Sequence, residues 1–375
     1  MPPISSLELR TKITSEARLE LWLEEVIVPK PAADELVVRV DAAPLNPSDI
    51  ILLLGPADPA NIQAGGTPAR PTASASIPLE RMSGLEARLD RALPAGNEGA
   101  GVVVDAGSEM QALIGRTVAA RSPLGMYAQY RVVKAAECFV LPDGVSAREG
   151  ASAFINPLTV LGMVETMRRE GHRALVHTAA ASNLGQMLNR VCLKDQIPLV
   201  NIVRNQAQVD ILRQLGAKHV LDSTSPGFQR DLVEAVAETE ATLAFDAIGG
   251  GTMAATIVRA MEEALAAKAE SYSRYGSSVH KQVYIYGMLN PGPKVLEGNL
   301  GMAWGVGGWL MTWFYEKIDP ATAQRLRDRA TRELTTTFAS HYTSEISLTD
   351  ALSPEIIVAY SRRATGEKFL MRPNG

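Results

Sequence analysis

The chain has 375 residues, 37 Lys and Arg against 41 Asp and Glu, and a net charge of −4 with 46% apolar residues. That balance excludes a nucleic-acid or other polyanionic partner, which demands a basic face. Two cysteines, Cys138 and Cys192, exclude a disulfide framework and a four-thiolate zinc lobe, and the length accommodates two domains.

The opening stretch MPPISSLELRTKIT has no continuous apolar core, so it does not read as a secretory signal and the expected location is the cytoplasm. Residues 1–150 read as β-rich. Glu35–Asp41, Gly101–Ala106 and Thr117–Arg121 alternate or run apolar between turn signals. Between Pro56 and Pro94 the composition shifts to Ala, Pro, Gly and Ser, which predicts a long irregular insertion, either a lid or disordered, with a short helix within Ile77–Leu93.

From Asn156 the rhythm becomes alternating helix and strand. Helices are expected at 158–170, 185–194, 206–215 and 252–271, and strands at 174–178, 198–203, 219–221, 241–247 and 282–287. Strict alternation implies an α/β unit with a doubly wound parallel sheet. Leu300–Tyr315 is uncharged but too short and glycine-rich for a membrane span, and is expected at a subunit seam or beside a ligand. Trp304, Trp309 and Trp313 within it would line an apolar acceptor site or seal that seam. Ser347–Leu370 reads as a helix and a last strand.

Ala174–Arg204 carries the most information. It reads as strand, tight small-residue turn, amphipathic helix and second strand, the first βαβ unit of a dinucleotide-binding sheet. Ala180, Ser182 and Gly185 occupy the three positions of the G-x-G-x-x-G spacing, with Ala181, Asn183 and Leu184 between them. The helix that follows points free N–H groups and a partial positive charge at the pyrophosphate. An NAD site usually carries a carboxylate about twenty residues past the glycines, to accept from the ribose 2′-hydroxyl. Here stand Arg204 and neutral Asn205. A guanidinium cannot accept a hydrogen bond but matches a 2′-phosphate in shape and charge, so NADPH is the expected cofactor. His172, His177, His219 and His280 show no ligand spacing and are read as surface or packing residues, and Cys192 as a core residue.

The segments Leu45–Asp49 (LNPSD), Gly96–Gly101 (GNEGAG), Gly125–Tyr130 (GMYAQY), Asn156–Thr159 (NPLT), Asn201–Asn205 (NIVRN) and Leu215–Val220 (LGAKHV) occur in the order of one family. The chain resembles the medium-chain dehydrogenase/reductase superfamily, in the zinc-independent branch with NADPH:quinone oxidoreductases and 2-enoyl thioester reductases. The resemblance implies a GroES-like catalytic domain at 1–155, interrupted by the insertion 56–94, and a Rossmann NADPH-binding domain at 156–335, with residues 336–375 returning to the first. It further implies that Asn46 lies near the nicotinamide, Asn156 and Thr159 along its ribose, and Lys368 close to the cofactor. Tyr286-Gly287-Met288, read from its own position, ends a sheet strand at the carboxyl edge where ligands meet it, so Gly287 and Met288 either face the cofactor or form an ordinary turn.

Zinc-dependent relatives place cysteine and histidine where this chain has Asn46 and Asn97, and neutral amides are poor zinc ligands, so no metal is expected. Without a Lewis acid, reduction of a quinone or α,β-unsaturated carbonyl is easier than alcohol oxidation. Between Asn46 and Asn97 there is no tyrosine, where enoyl thioester reductases usually carry a catalytic one, and Tyr127 and Tyr130 read as packed strand residues. No general acid is assigned. The expectation is thus a metal-free, NADPH-dependent reductase of a small quinone or enone, a homodimer with no membrane partner. The alternatives are an enoyl-CoA or enoyl-ACP reductase and a non-catalytic, crystallin-like NADPH-binding protein.

Overall fold

The computed structural model describes residues 3–375 and divides into two compact units. One takes the described residues up to Ile155 together with Arg329–Gly375; the other is Asn156–Asp328.

The first unit is built on two sheets. In one, Gln63–Thr67, Arg70–Ser76, Arg18–Ile27, Ser5–Ile13 and Leu93–Pro94 lie side by side in that order. In the other the order is Cys138–Val140, Thr117–Ala120, Gly99–Ala106, Glu35–Pro44, Phe369–Met371 and Ser344–Ile346, with Tyr130–Lys134 also on Glu35–Pro44. Leu19, Leu21 and Leu23 alternate into the core, the period of two that a strand requires. The chain's end joins this unit as a strand, Leu370 against Pro44 and Met371 against Ala43. Helix α1 (Pro47–Leu54) opens with Pro47 in its first turn, where the missing N–H costs nothing.

Residues 56–94 are not the structureless lid expected. Gln63–Thr67 and Arg70–Ser76 form a hairpin that extends the first sheet, Trp22 facing Thr72 and Arg18 facing Ser76. Small Ala, Gly and Ser side chains give almost no hydrophobic alternation, so pairing with the strand Arg18–Ile27 makes the strand where propensity does not. Gly66 turns at φ +75°, and a Cβ there would fall 2.2 Å from the Arg70 carbonyl oxygen. The helix expected in Ile77–Leu93 reduces to single turns at Leu79–Arg81 and Glu86–Arg88.

The second unit is a six-stranded parallel sheet: β1 (Leu175–His177), β2 (Leu199–Val203), β3 (His219–Asp222), β4 (Leu243–Asp246), β5 (Lys281–Ile285) and β6 (Trp304–Gly308). Their order is β3-β2-β1-β4-β5-β6, which places a topological switch between β1 and β4. Helices α2 (Ile155–Arg169), α3 (Asn183–Lys194), α4 (Gln206–Gln214), α5 (Phe228–Thr239) and α6 (Met253–Ala267) fall before or between the strands. Helix α3 buries Met187, Leu188 and Val191, spaced for one helical face. The core gathers Val176, Val200, Ala244 and Val283 from the strands with Val258 and Met261 of α6. Trp309 packs against α2 and β4. Its Nε1 donates to Thr166 Oγ1 at 3.1 Å and its ring meets Phe245 edge-on. Trp313, in contrast, is 59% exposed.

Candidate active site

In the second unit the turn after β1 is made by alanine. Ala179 adopts φ +49°, a left-handed conformation that costs a non-glycine residue energy and that its sequence position does not announce. Ala180 and Ala181 are buried behind it. Ser182 caps α3, its Oγ accepting from the Gly185 N–H at 3.1 Å. Gly185 is the one glycine kept because a Cβ there would lie 2.2 Å from the Ala180 carbonyl oxygen, so helix and turn could not close. Asn183 and Leu184 are half-buried in the first turn of α3.

One strand away, Arg204 follows β2. Its backbone N–H donates to Gln208 Oε1 at 3.1 Å, while its exposed guanidinium makes no hydrogen bond or ion pair among the described residues. Asn205 is committed to capping α4, its Oδ1 accepting from the Gln208 N–H. Asn156 and Thr159 are buried in the first turn of α2. Gly287 lies just past β5, where a Cβ would meet the Ala247 carbonyl oxygen at 2.6 Å; neighbouring backbone alone requires glycine there. Met288 beside it is 56% exposed.

The first unit holds a buried polar cluster around Asn46. Asn46 Nδ2 donates to Glu98 Oε1 at 2.8 Å, and Glu98 Oε2 accepts from the Phe154 and Ile155 N–H groups at 2.9 and 2.8 Å. Asp49 accepts from the N–H groups of Asn46 and Asn97, each at 2.9 Å. Lys368 Nζ donates to Ser152 Oγ at 2.8 Å and stands 5.4 Å from the centre of the Tyr342 ring. Burial pushes its pKa down to about 8 against the opposing pull of the Glu98 and Asp49 charges. Burial likewise raises Glu98, opposed by Lys368 and by the three groups donating to it. Tyr127 is a packed residue: fully buried, it donates to the Pro44 carbonyl at 2.9 Å, and burial holds its phenol protonated.

Asp49 sets a pH dependence. Its complete burial raises its pKa to about 7, despite the two N–H groups that favour the carboxylate. The folded chain therefore holds this proton more tightly than the unfolded chain between about pH 4 and pH 7. The stability tied to that proton is complete below the window and is lost as pH rises through it. Urea unfolding across the window is expected to show a steeper loss for the wild type than for Asp49→Asn. Equal slopes would exclude Asp49 as the group responsible.

Asp49, Ser152 and Tyr342 were not marked as site residues by sequence reading, although Asp49 lies inside the LNPSD segment. The hydrogen bond between Asn46 and Glu98 spans 52 positions, and no local pattern reports it. Among the described residues no group of three or more His, Cys, Asp or Glu could hold a metal ion, and no helix is long and apolar enough to cross a membrane.

No protein-family model matches the chain. It is 28% identical over 233 residues to the mitochondrial enoyl-acyl-carrier-protein reductase of Xenopus tropicalis, covering 58% of this chain and 57% of that one. The quinone oxidoreductase of Pseudomonas aeruginosa is 27% identical over 160 residues, 42% of this chain and 49% of that one. The chain spans about half the length of these relatives. A protein of Mesorhizobium loti assigned as an NADPH:quinone reductase superposes with a TM-score of 0.73 at 23% identity, all of both chains being covered. The relatives and structural neighbours thus include quinone reductases and enoyl thioester reductases of the medium-chain dehydrogenase/reductase superfamily, and the fold of the solved structures is the one this chain adopts.

Proposed function

We propose that this protein is a metal-free, NADPH-dependent reductase that delivers hydride to a quinone or an α,β-unsaturated carbonyl. The observation that carries the reading is the pairing of a closed phosphate-type turn at Ala180–Gly185 with the uncommitted guanidinium of Arg204 one strand away. The turn and Arg204 fit the cofactor. Ser182 accepts from Gly185 and keeps its own O–H for a phosphate oxygen, and α3 presents its amino end. Arg204 suits a 2′-phosphate. NADPH, when bound, supplies the hydride.

The chain's own part is to bind, orient and polarise. Glu98 holds one amide hydrogen of Asn46 and so fixes the amide's orientation, and a donor to the acceptor's carbonyl oxygen, where negative charge gathers, is what the reaction needs. Solvent supplies the proton, as no tyrosine lies between Asn46 and Asn97. The donor set supports chemistry without metal: Asn46 is bonded to Glu98, Asn97 donates to Ser48 Oγ at 2.9 Å, and neither amide replaces thiolate or imidazole at zinc.

A spectrophotometric screen of NADPH oxidation tests the reading. Quinones or enones should be turned over, chelators should leave the rate unchanged, and elemental analysis should find no stoichiometric zinc. The resemblance to a mitochondrial enoyl-acyl-carrier-protein reductase supports a second reading, and faster turnover of enoyl thioesters would favour it. Tight NADPH binding without turnover of any acceptor would leave a crystallin-like binding protein instead.

A homodimer in the cytoplasm completes the proposal. β6 is the edge strand of the parallel sheet, and Met302, Leu310 and Trp313 beside it are exposed, an apolar face suited to a second copy. Sedimentation equilibrium checks it, and a monomer at micromolar concentration would count against it.

A further inference from the structure

His177, the last residue of β1, is fully buried, and its Nε2 lies 2.8 Å from the Tyr286 hydroxyl. The two rings stack with centroids 5.8 Å apart. Among the described residues the other ring nitrogen, Nδ1, has no hydrogen-bond partner. Burial pushes the imidazole pKa down to about 3, so near neutral pH the ring carries a single proton.

That proton has two possible seats. On Nδ1 it would form a buried N–H with nothing to donate to, and orphaned buried donors are rare in folded proteins because their desolvation goes uncompensated. On Nε2 it donates to the Tyr286 oxygen and leaves Nδ1 as a bare lone pair. The Nε2–H form is therefore favoured, and the Tyr286 hydroxyl becomes an acceptor toward His177 with its own hydrogen still to give. Burial and the Asp246 charge hold that phenol protonated, so it acts as a donor and not as a base.

Its place in the sheet says which part of a bound dinucleotide it stands nearest. Tyr286 is the first residue past β5 and is half-buried where His177 is fully buried. In the order β3-β2-β1-β4-β5-β6, Arg204 stands at the end of β2 and the phosphate-type turn at the end of β1. A dinucleotide with its adenosine at β2 and its pyrophosphate at β1 continues along the carboxyl edge toward β4 and β5. Tyr286 is at the nicotinamide end of that path.

We propose that Tyr286, oriented by His177, donates a hydrogen bond to the carboxamide oxygen of the nicotinamide. The inference rests on the NADPH reading above. His177 acts as a positioning residue and Tyr286 as the group that touches the cofactor.

Two measurements test it. Nitrogen-15 NMR of the free protein should show neutral His177 protonated at Nε2 and bare at Nδ1; protonation at Nδ1 would overturn the proposal. Equilibrium titrations then compare NADPH with 2′,5′-ADP, which lacks the nicotinamide. Tyr286→Phe should weaken NADPH roughly fivefold to tenfold, the loss of one neutral hydrogen bond, and leave 2′,5′-ADP within about twofold. Equal weakening of both ligands, or no weakening of NADPH, would overturn it. A wild type that binds neither ligand would overturn the NADPH reading itself, and this inference with it.

Discussion

Replacing Arg204 with alanine is expected to weaken NADPH by about 1.5–3 kcal/mol, roughly 10- to 150-fold in Kd, and to leave NADH nearly unchanged. The two cofactors differ only in the 2′-phosphate, so the contrast isolates the contact. The magnitude is that of a hydrogen bond to a charged group, and both partners are charged here. Stability should hardly move. The side chain is exposed, the local bond to Gln208 comes from the backbone N–H, and Asn205 supplies the cap of α4 on its own. Arg204→Lys should recover part of the loss, since an ammonium keeps the charge but not the planar fork. Added salt should shrink the gap between wild type and alanine variant, because an exposed charge is screened. Calorimetric titration with both cofactors decides the matter. Equal losses for NADPH and NADH would end the case for 2′-phosphate recognition.

Where function depends on neighbouring residues it was legible in the sequence, and where it depends on distant ones it was not. The β1–α3–β2 unit announces itself because an apolar strand, a small-residue turn, a helical stripe and a second strand follow one another within thirty-odd positions. Gly185 is a further case: spacing marks it, and the 2.2 Å approach of the Ala180 carbonyl oxygen explains why only this glycine of the motif survives. The left-handed φ of Ala179 had no such marker, since alanine gives no sign that the surrounding fold imposes a strained turn. The hairpin inside 56–94 was missed because Ala73 and Ala75 point inward with side chains too small to show a period. Cross-chain pairs were hidden altogether. His177 meets Tyr286 across 109 positions, and Lys368 meets Ser152 across 216. Such partners are set by sheet order, which a local window does not contain.

Lys281→Met is expected to destabilise the second unit by about 3–5 kcal/mol, the largest stability effect anticipated for a single substitution here. Lys281 opens β5 at the end of the sheet opposite the phosphate-type turn, and its side chain is wholly buried. Its Nζ donates to Glu262 Oε2 at 2.6 Å and to the Val279 carbonyl at 3.2 Å. The other carboxylate oxygen of Glu262 accepts from the Ser277 N–H at 2.8 Å. Two glycines close over it: a Cβ on Gly276 would lie 2.2 Å from Glu262 Oε1, and one on Gly301 2.6 Å from Oε2. Methionine keeps most of the lysine's volume, so the main loss is electrostatic: Glu262 would be left in a dry site without its cation. A carboxylate stranded in this way costs more than the intact pair contributes, so Lys281→Met combined with Glu262→Met should recover much of the stability. Three of the four tryptophans, Trp304, Trp309 and Trp313, lie in this unit, so their fluorescence during urea unfolding reports chiefly on it. A single variant within about 1 kcal/mol of wild type, or a double variant no better than the single, would show that the pair does not hold the two loops to the base of the sheet.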